Sequence, residues 1–448
     1  MREYVVVLLT AALVTFLTTP VVRMLAVRLR VVAAVRDRDV HVIPTPRGGG
    51  VAMYLGVAAA IGVATRLPAL QRTFDDSQTY GVLVAGGLIC LLGVVDDRFG
   101  IDALTKLTGQ IAAAGVMVLL GVQLLFVFLP VADIGTLSLG SAGVPLTILL
   151  TVLVVNAVNF IDGLDGLAAG VSAIAALAFF AYSYNLGLVG YDDTASAPAL
   201  ITAVLAGACL GFLPHNFSPA RIFMGDSGSM MVGLMLSAAA VSATGRVDSQ
   251  SFDSAASVLP LALPLLVPLA VLFIPFTDLV LAVVRRTRKG QSPFSPDKMH
   301  LHHRLLSIGH SHRRAVLIMY FWAALLSFGA VALSITGGTV EVLVVVSVLL
   351  VVGVVVVLSP RARRVDRTAA SVAESETRVA RLRRFRRRRP RPAARAPRGD
   401  RHGCAPAGPP ARPPVPRGQH AGPAGRGRRP PPRPAARRWP PAAPPSPR

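Results

Sequence analysis

Residues 156–166 read Asn-Ala-Val-Asn-Phe-Ile-Asp-Gly-Leu-Asp-Gly and follow directly behind an apolar run from Val144 to Val155. The two carboxylates of this stretch, Asp162 and Asp165, cannot face lipid hydrocarbon without a large free-energy cost. They must therefore lie where the apolar segment leaves a membrane, or line a wet cavity that they share with other polar groups. The chain places polar chemistry at a membrane boundary.

The composition of the chain indicates an all-α polytopic integral membrane protein. Hydrophobic residues make up 53% of the 448 residues, and charged residues make up 15%. Long uncharged segments recur over residues 1–358, a pattern that excludes a soluble globular protein. We expect about eleven transmembrane helices. The predicted spans are 4–22, 49–65, 79–95, 107–129, 142–158, 166–184, 197–213, 228–244, 257–283, 315–334 and 341–358.

Basic residues predict the orientation of these spans. The loops at 23–48, 96–106, 159–165, 214–227 and 284–314 together contain 17 Lys and Arg residues, whereas the opposite set of loops contains three. Loops that are rich in Lys and Arg stay in the cytoplasm. We therefore expect a multi-pass protein of the plasma (inner) membrane, with the N-terminus outside and the C-terminal residues in the cytoplasm.

Residues 359–448 differ in composition from residues 1–358. They contain 25 of the 46 Lys and Arg residues but only four of the 23 Asp and Glu residues. Such a segment buries too little apolar surface to fold, so we expect a transmembrane domain at 1–358 and a disordered, Arg- and Pro-rich cytoplasmic tail at 359–448. The tail would attract anionic lipids. Nucleic acid is the weaker alternative, because Phe385 and Trp439 are its only aromatic residues.

Carboxylates gather at the cytoplasmic ends of the predicted spans. Three loops bring five of them to this boundary, namely Asp96, Asp97, Asp162, Asp165 and Asp226. Mg²⁺ prefers hard oxygen ligands and is held by one or two carboxylates together with substrate phosphates, which indicates phosphoryl transfer. Mn²⁺ could replace Mg²⁺. The alternative is that single residues such as Asp162 cap helices, because Asp-Gly is also a turn signal.

Amide, basic and histidine side chains accompany the carboxylates. On a helix, Asn159, Asp162 and Asp165 would lie within an arc of about 120°, so that one substrate could contact all three. The histidines could alternatively bind zinc, although no cysteine is nearby and the carboxylates suit magnesium better. The glycines of Pro44–Gly50 could bring N–H groups to an anion or form a flexible start to a helix. The other candidate substrate-binding residues on this face are Arg47, Lys106, His215, Asn216, His300, His302, His303 and Arg304.

Together these motifs resemble those of the polyprenyl-phosphate N-acetylhexosamine-1-phosphate transferases. The matching strings are Pro44–Gly50, Val95-Asp-Asp-Arg98, Asn156–Gly166, Phe223-Met-Gly-Asp-Ser-Gly228 and His300–Arg304, in the order that this family has them. The resemblance covers residues 1–358 and does not extend to the tail. It implies an eleven-span helical fold and transfer of a sugar-1-phosphate from a UDP-sugar to undecaprenyl or decaprenyl phosphate, with release of UMP.

The resemblance also implies roles for individual residues. Asp226 corresponds to a metal ligand, with Asp96 and Asp97 beside it, and Mg²⁺ is the expected ion. Asp97 is also a candidate base toward the lipid phosphate, although such a phosphate is already largely ionised at pH 7. A covalent aspartyl-phosphate route is a second alternative. The residues that match substrate-binding motifs are Asn159, Asp162, Asp165, His300, His302, His303 and Arg304, and Lys106 stands where the family often has a basic residue.

The histidine motif distinguishes two branches of this family. Met299 stands where the muramoyl-pentapeptide branch usually has a proline, and Leu301 interrupts what would be consecutive histidines. The motif therefore resembles the WecA and TagO branch, which implies UDP-GlcNAc as donor and a role in cell-wall or surface-polysaccharide synthesis. Phospho-N-acetylmuramoyl-pentapeptide transferase is the runner-up. A secondary transporter is a remote alternative, since transporters place charged ligands near the membrane midplane. The resemblance also suggests a homodimer, because members of the family are often dimers.

Overall fold

The computed structural model describes residues 1–29, 31, 45–128, 136–189, 196–244, 273–288, 310–336 and 339–358. These residues belong to the first of two units into which the chain divides, Met1–Glu376. The second unit, Thr377–Arg448, lies outside the described residues, as does the rest of the predicted tail from residue 359. The predicted domain boundary therefore stays a prediction.

Apolar helices account for most of the described residues. In chain order they are α1 (Arg2–Arg28), α2 (Gly49–Ala64), α3 (Gln78–Phe99), α4 (Ala103–Leu119), α5 (Gly143–Ile161), α6 (Leu167–Val189), α7 (Ala197–Asn216), α8 (Gly225–Thr244), α9 (Phe273–Arg288), α10 (His312–Thr336) and α11 (Val340–Leu358). Among these described helices, eight are long and apolar enough to cross a membrane: α1, α3, α5, α6, α7, α8, α10 and α11. The prediction of an all-α polytopic membrane protein is confirmed.

The other three helices are shorter than the predicted spans. α2 has 16 residues and meets a short 3₁₀ helix, Pro68–Phe74, at a bend of 111°. Pro68 accounts for the bend, because the residue before a proline is pushed out of the helical conformation, and Leu67 is extended. α9 covers only the end of the predicted span at 257–283, and the earlier part of that span lies outside the described residues.

The predicted span at 107–129 is wrong in its second half. α4 ends at Leu119, and Gly121 then adopts a left-handed conformation with a φ of 97°. Strand β1 (Phe126–Phe128) follows and pairs antiparallel with strand β2 (Thr136–Ser138). Hydropathy alone does not separate a helix from a strand in an apolar run, and Phe and Val favour strands.

α8 brings together the helices that carry the polar residues. Nearly every residue of α8 is buried, and the helix packs against α2, α3, α5 and α7. Gly, Ala and Ser make up most of its length, and such small side chains let neighbouring backbones approach closely. A Cβ on Gly93 of α3 would collide with the backbone of Asp226 and Ser227, so this crossing requires glycine.

The glycines behind Arg47 join the start of α2 to the start of α8. Gly49 donates its backbone N–H to the Phe223 carbonyl, and Gly50 donates its own to the Met224 carbonyl, each over 3.1 Å. Both N–H groups are therefore used within the protein. This pairing favours the interpretation of the segment as a helix start over its interpretation as an anion cradle.

A side chain at position 93 should destabilise the helix bundle. We expect Gly93→Ala to lower the free energy of unfolding by about 1–3 kcal/mol, because the added Cβ forces α3 away from α8. Gly115→Ala in α4 is the matched control, since a Cβ there meets no atom within 4 Å. The measurement is the thermal midpoint of each purified variant in detergent, and equal midpoints would contradict the close α3–α8 crossing.

Candidate active site

A tight turn between α3 and α4 places a lysine beside a carboxylate. Gly100 ends α3 because it adopts a left-handed conformation with a φ of 67°. Asp102 then caps α4 by accepting hydrogen bonds from two backbone N–H groups of its first turn, both over 3.0 Å. Lys106 therefore lies one turn into α4, where its side chain reaches back to Asp96 at the end of α3.

Two carboxylates from different helices share the ammonium group of Lys106. Its Nζ lies 2.8 Å from Oδ2 of Asp96 and 2.9 Å from Oδ2 of Asp226, the second residue of α8. Asn159 of α5 donates from Nδ2 to Oδ1 of Asp226 over 2.8 Å. The side chains of Asp96, Lys106 and Asp226 are 9%, 20% and 27% exposed, so solvent screens their attraction less than at an open surface. We call these four residues the Lys106 cluster.

Asp97 faces the start of α8. Its Oδ1 accepts from the backbone N–H of Asp226 over 3.1 Å, and its Oδ2 accepts from the N–H and the hydroxyl of Ser227 over 3.2 and 3.0 Å. A negative charge is favourable at a helix N-terminus. Gly225, with a φ of 72°, makes room for this carboxylate, because a Cβ there would collide with it. Asp97 thus fixes the helix end that carries Asp226.

Asp162 lies just past the end of α5, where its backbone N–H donates to the Asn159 carbonyl over 3.2 Å. Burial raises the pKa of its carboxyl group to about 7, and the negative charges of Asp226 and Asp97 act in the same direction. The positive charge of Arg47 opposes this shift in pKa. Asp162 and Arg47 therefore share the electrostatic environment of the Lys106 cluster.

Asp165 and Asn216 connect two loops by hydrogen bonds. Oδ2 of Asp165 accepts from the backbone N–H of Ala220 over 3.0 Å. Asn216 accepts at Oδ1 from the N–H of Gly166 and donates from Nδ2 to the carbonyl of Ile222, each over 3.0 Å. These hydrogen bonds join the turn after α5 to the loop between α7 and α8. The side chains of Asp165 and Asn216 are both buried.

His215 packs against α1. Its Nε2 is 3.1 Å from the carbonyl oxygen of Phe16, and the centroids of the two rings are 4.8 Å apart. His215 was a candidate because it follows the predicted span at 197–213, and in the structure it is the second-last residue of α7. That position does not reveal that the ring packs on a neighbouring helix.

Two residues of this region were given no role by the sequence motifs. Ser227 binds Asp97, and its place directly after Asp226 in a motif was the signal that it belongs here. Tyr320 of α10 donates its hydroxyl to the carbonyl of Gly166, and its ring leaves no room for a side chain on Gly170. No local signal marks Tyr320, because it lies within an apolar span.

The predicted histidine motif lies outside the described residues, so His300, His302, His303 and Arg304 stay predictions. The alternative that these histidines bind zinc also stays a prediction, because they lie outside the described residues. They lie in the sequence between Arg288, where α9 ends, and His312, where α10 begins.

The residues of the Lys106 cluster fit a divalent cation. In the described part of the chain, no three His, Cys, Asp or Glu side chains form a group that could hold a metal ion alone. Mg²⁺ does not need three, since one or two carboxylates and substrate phosphates complete its shell. The ammonium of Lys106 demonstrates that Asp96 and Asp226 can reach the same cation. Asn159 adds an amide beside Asp226.

Comparison with known proteins assigns the chain to a family of membrane transferases. The profile of glycosyl transferase family 4 matches residues 79–244, which include α3 to α8 and the whole Lys106 cluster. This match and the relatives described next show that the chain belongs to glycosyl transferase family 4. They also confirm the resemblance of its motifs to the polyprenyl-phosphate N-acetylhexosamine-1-phosphate transferases.

Individual relatives cover most of the chain. A decaprenyl-phosphate N-acetylglucosaminephosphotransferase of Mycolicibacterium smegmatis is 53% identical over 369 residues, or 81% of this chain and 90% of that protein. One with the same name from Mycobacterium tuberculosis is 54% identical over 371 residues, 82% of this chain and 91% of that protein. A probable undecaprenyl-phosphate N-acetylglucosaminyl 1-phosphate transferase of Bacillus subtilis is 31% identical over 342 residues, 74% of this chain and 86% of that protein.

Removing the shared cation should destabilise the protein. We expect Lys106→Met to lower the free energy of unfolding by about 3 kcal/mol, because Asp96 and Asp226 would face each other without a counter-charge. Arg98→Met is the matched control, since Arg98 is an exposed cation at the same end of α3. Thermal midpoints in detergent without added metal measure the effect. A Lys106→Met midpoint equal to that of Arg98→Met would contradict the shared ion pair.

Asp162 should make stability depend on pH. Its folded-state pKa of about 7 lies above the ordinary value of 3.8, so between about pH 4 and pH 7 the folded chain holds more protons than the unfolded chain. The free energy of unfolding should therefore fall as the pH rises through this window. Asp162→Asn should reduce the difference between the thermal midpoints at pH 5 and pH 8, measured without added metal. The same difference in the variant and the parent would refute this assignment.

Proposed function

We propose that this protein transfers N-acetylglucosamine-1-phosphate from UDP-GlcNAc to decaprenyl phosphate, with release of UMP and formation of decaprenyl-diphosphate-GlcNAc. The observation that carries the proposal is the Lys106 cluster, in which two carboxylates, an amide and a lysine meet at the ends of four apolar helices. Such a cluster lies where a lipid phosphate and a water-soluble nucleotide can meet. The names of the two mycobacterial relatives supply the sugar and the decaprenyl acceptor.

The reaction exchanges one phosphorus–oxygen bond for another. An oxygen of the lipid phosphate attacks the phosphorus that carries the sugar, and the bond from that phosphorus to the UMP oxygen breaks. The lipid phosphate needs no base, since its second pKa near 6 leaves it largely ionised at pH 7. Catalysis then consists of positioning the two phosphates and stabilising the charge that develops on UMP. Lys106 is suited to the second task, because its ammonium already lies among oxygen anions.

Mg²⁺ is the proposed cofactor, with Mn²⁺ as a substitute. Asp226, Asp96 and Asn159 would hold it, and it would neutralise the negative charge of the nucleotide diphosphate. Asp97 is proposed as a positioning residue rather than a base, because both of its oxygens accept hydrogen bonds from the first turn of α8. Asp162 and Arg47 are proposed to act on the donor, because the charge of Asp162 interacts with the charges of both Asp226 and Arg47. Asp165 and Asn216 would shape the donor site through the loops that they join.

Two alternatives to this function receive less support. The three relatives carry N-acetylglucosamine in their names, which favours that donor over the muramoyl-pentapeptide donor. A transporter would hold its ions near the membrane midplane, whereas the Lys106 cluster lies where α3 and α5 end and where α4 and α8 begin. We further propose that the site faces the cytoplasm at the inner membrane. Contact of the tail with anionic lipids and a homodimer stay predictions.

The function is tested by a transfer assay with the purified full chain in detergent. Decaprenyl phosphate and Mg²⁺ are incubated with either UDP-GlcNAc or UDP-N-acetylmuramoyl-pentapeptide, and both UMP and the lipid product are measured. We expect lipid-linked GlcNAc, and its loss when a chelator removes the metal. Product from the muramoyl donor alone would contradict the proposed donor. Undiminished GlcNAc transfer in the chelator would contradict the metal.

Asp226→Asn should reduce the rate of this transfer on the order of 10²–10³-fold, because it removes a charge that binds both Lys106 and the proposed metal. Asp102→Asn is the matched control. It makes the same chemical change at an exposed residue of the neighbouring turn, and asparagine caps helices as well as aspartate does. Equal rates in the two variants would remove Asp226 from the active site.

A further inference from the structure

A second group of contacting side chains, two amides and a thioether, lies one helical turn deeper in the bundle than the Lys106 cluster. Gln110 of α4 is 2% exposed and accepts at Oε1 from Nδ2 of Asn156 in α5 over 2.8 Å. Its Nε2 lies 3.3 Å from Sδ of Met230 in α8. The same Asn156 amide also donates to the carbonyl of Val152 within its own helix. We call Gln110, Asn156 and Met230 the lower tier.

The lower tier uses three of the four helices that form the Lys106 cluster, namely α4, α5 and α8. Gln110 follows Lys106 by four residues in α4, and Met230 follows Asp226 by four residues in α8. Residues three or four positions apart lie on one face of a helix. Each of these helices therefore presents a site residue and a lower-tier residue on the same face.

α5 also carries one residue of the cluster and one of the lower tier, but here the lower-tier residue comes first in the sequence. Asn156 precedes Asn159 by three residues, so that it too lies one turn away on the same face. In the site, Lys106 and Asn159 both converge on Asp226. One turn below, Gln110 contacts both Asn156 and Met230.

A contact of this kind restricts rotation of the helices about their axes. A buried amide that loses its partner in an apolar bundle keeps an unsatisfied polar group, which is costly where water cannot replace the partner. Turning α4 away from α5 would separate Gln110 from Asn156. The same rotation would carry Lys106 away from Asp226, because both residues of α4 move together on one rigid face.

We propose that Gln110 and Asn156 are positioning residues that set the rotation of α4 against α5 and α8. By setting this rotation, the two residues hold Lys106 beside Asp226. This inference rests on the proposed function, because its main measurement is the rate of GlcNAc-1-phosphate transfer. It assigns neither residue a contact with the substrates.

The chain offers a matched control in the same helices. Thr151 of α5 and Ser237 of α8 are buried and share a hydrogen bond of 2.9 Å between their hydroxyl oxygens. Thr151 precedes Asn159 by eight residues, about 12 Å along the helix axis. Thr151→Val therefore removes a buried interhelical hydrogen bond without reaching the lower tier.

The experiment compares kcat and KM in Gln110→Leu, Asn156→Leu and Thr151→Val. We expect kcat to fall about tenfold or more in the two lower-tier variants, because small displacements of catalytic groups slow the chemical step. KM for decaprenyl phosphate should change less than kcat, and Thr151→Val should keep the parent's kcat. The double variant Gln110→Asn with Asn156→Gln exchanges the two amides at constant total length and should recover most of kcat.

Thermal midpoints separate positioning from loss of the fold. Lower-tier variants that keep a midpoint close to that of Thr151→Val but lose kcat support the proposal, as does recovery in the exchanged pair. Equal kcat in Gln110→Leu and Thr151→Val overturns it, and so does a kcat loss that follows the midpoint in all variants. Absence of GlcNAc transfer in the parent chain would instead be a failure of the proposed function.

Discussion

The ion pair of one lysine with two carboxylates is the interaction on which the rest of the site depends. Asp96 and Asp226 lie at the ends of apolar helices, where water is scarce and two negative charges cannot stay close without a cation. The ammonium of Lys106 meets both of them within 3 Å. The short turn between α3 and α4 and the glycine-lined approach of α3 to α8 both make this meeting possible. The packing of these helices therefore places one positive charge between two negative charges.

The acidic residues of this region have two structural roles, pairing with a cation and accepting hydrogen bonds from the backbone. Asp96 and Asp226 face the shared lysine and can face a metal ion in the same way. Asp97 and Asp165 instead accept hydrogen bonds from backbone N–H groups, and so they hold helix α8 and the loop before it. In the proposed function, a carboxylate that binds this helix end also contributes to catalysis, because the helix end carries Asp226. Its loss would act through geometry rather than through contact with the substrates.

The sequence predicted the helices and the gathering of polar residues, but not the task of each residue. Hydropathy locates apolar helices because each span must satisfy its backbone within itself. It was wrong at residues 126–128, where an apolar run forms a strand. The neighbours of Asp97, Asp165 and Gln110 are up to 130 positions away in sequence, and no local pattern reveals them. Tyr320 was missed for the same reason.

Binding of Mn²⁺ to the purified full chain, measured by electron paramagnetic resonance without lipid or nucleotide, is the sharpest test of a cation site at the Lys106 cluster. We expect one bound ion per chain, and loss of that ion in Asp226→Asn while the variant stays folded. Added UMP should change the spectrum of the bound ion, because the nucleotide phosphate would join its shell. Unchanged Mn²⁺ binding in a folded Asp226→Asn variant would exclude Asp226 as a metal ligand.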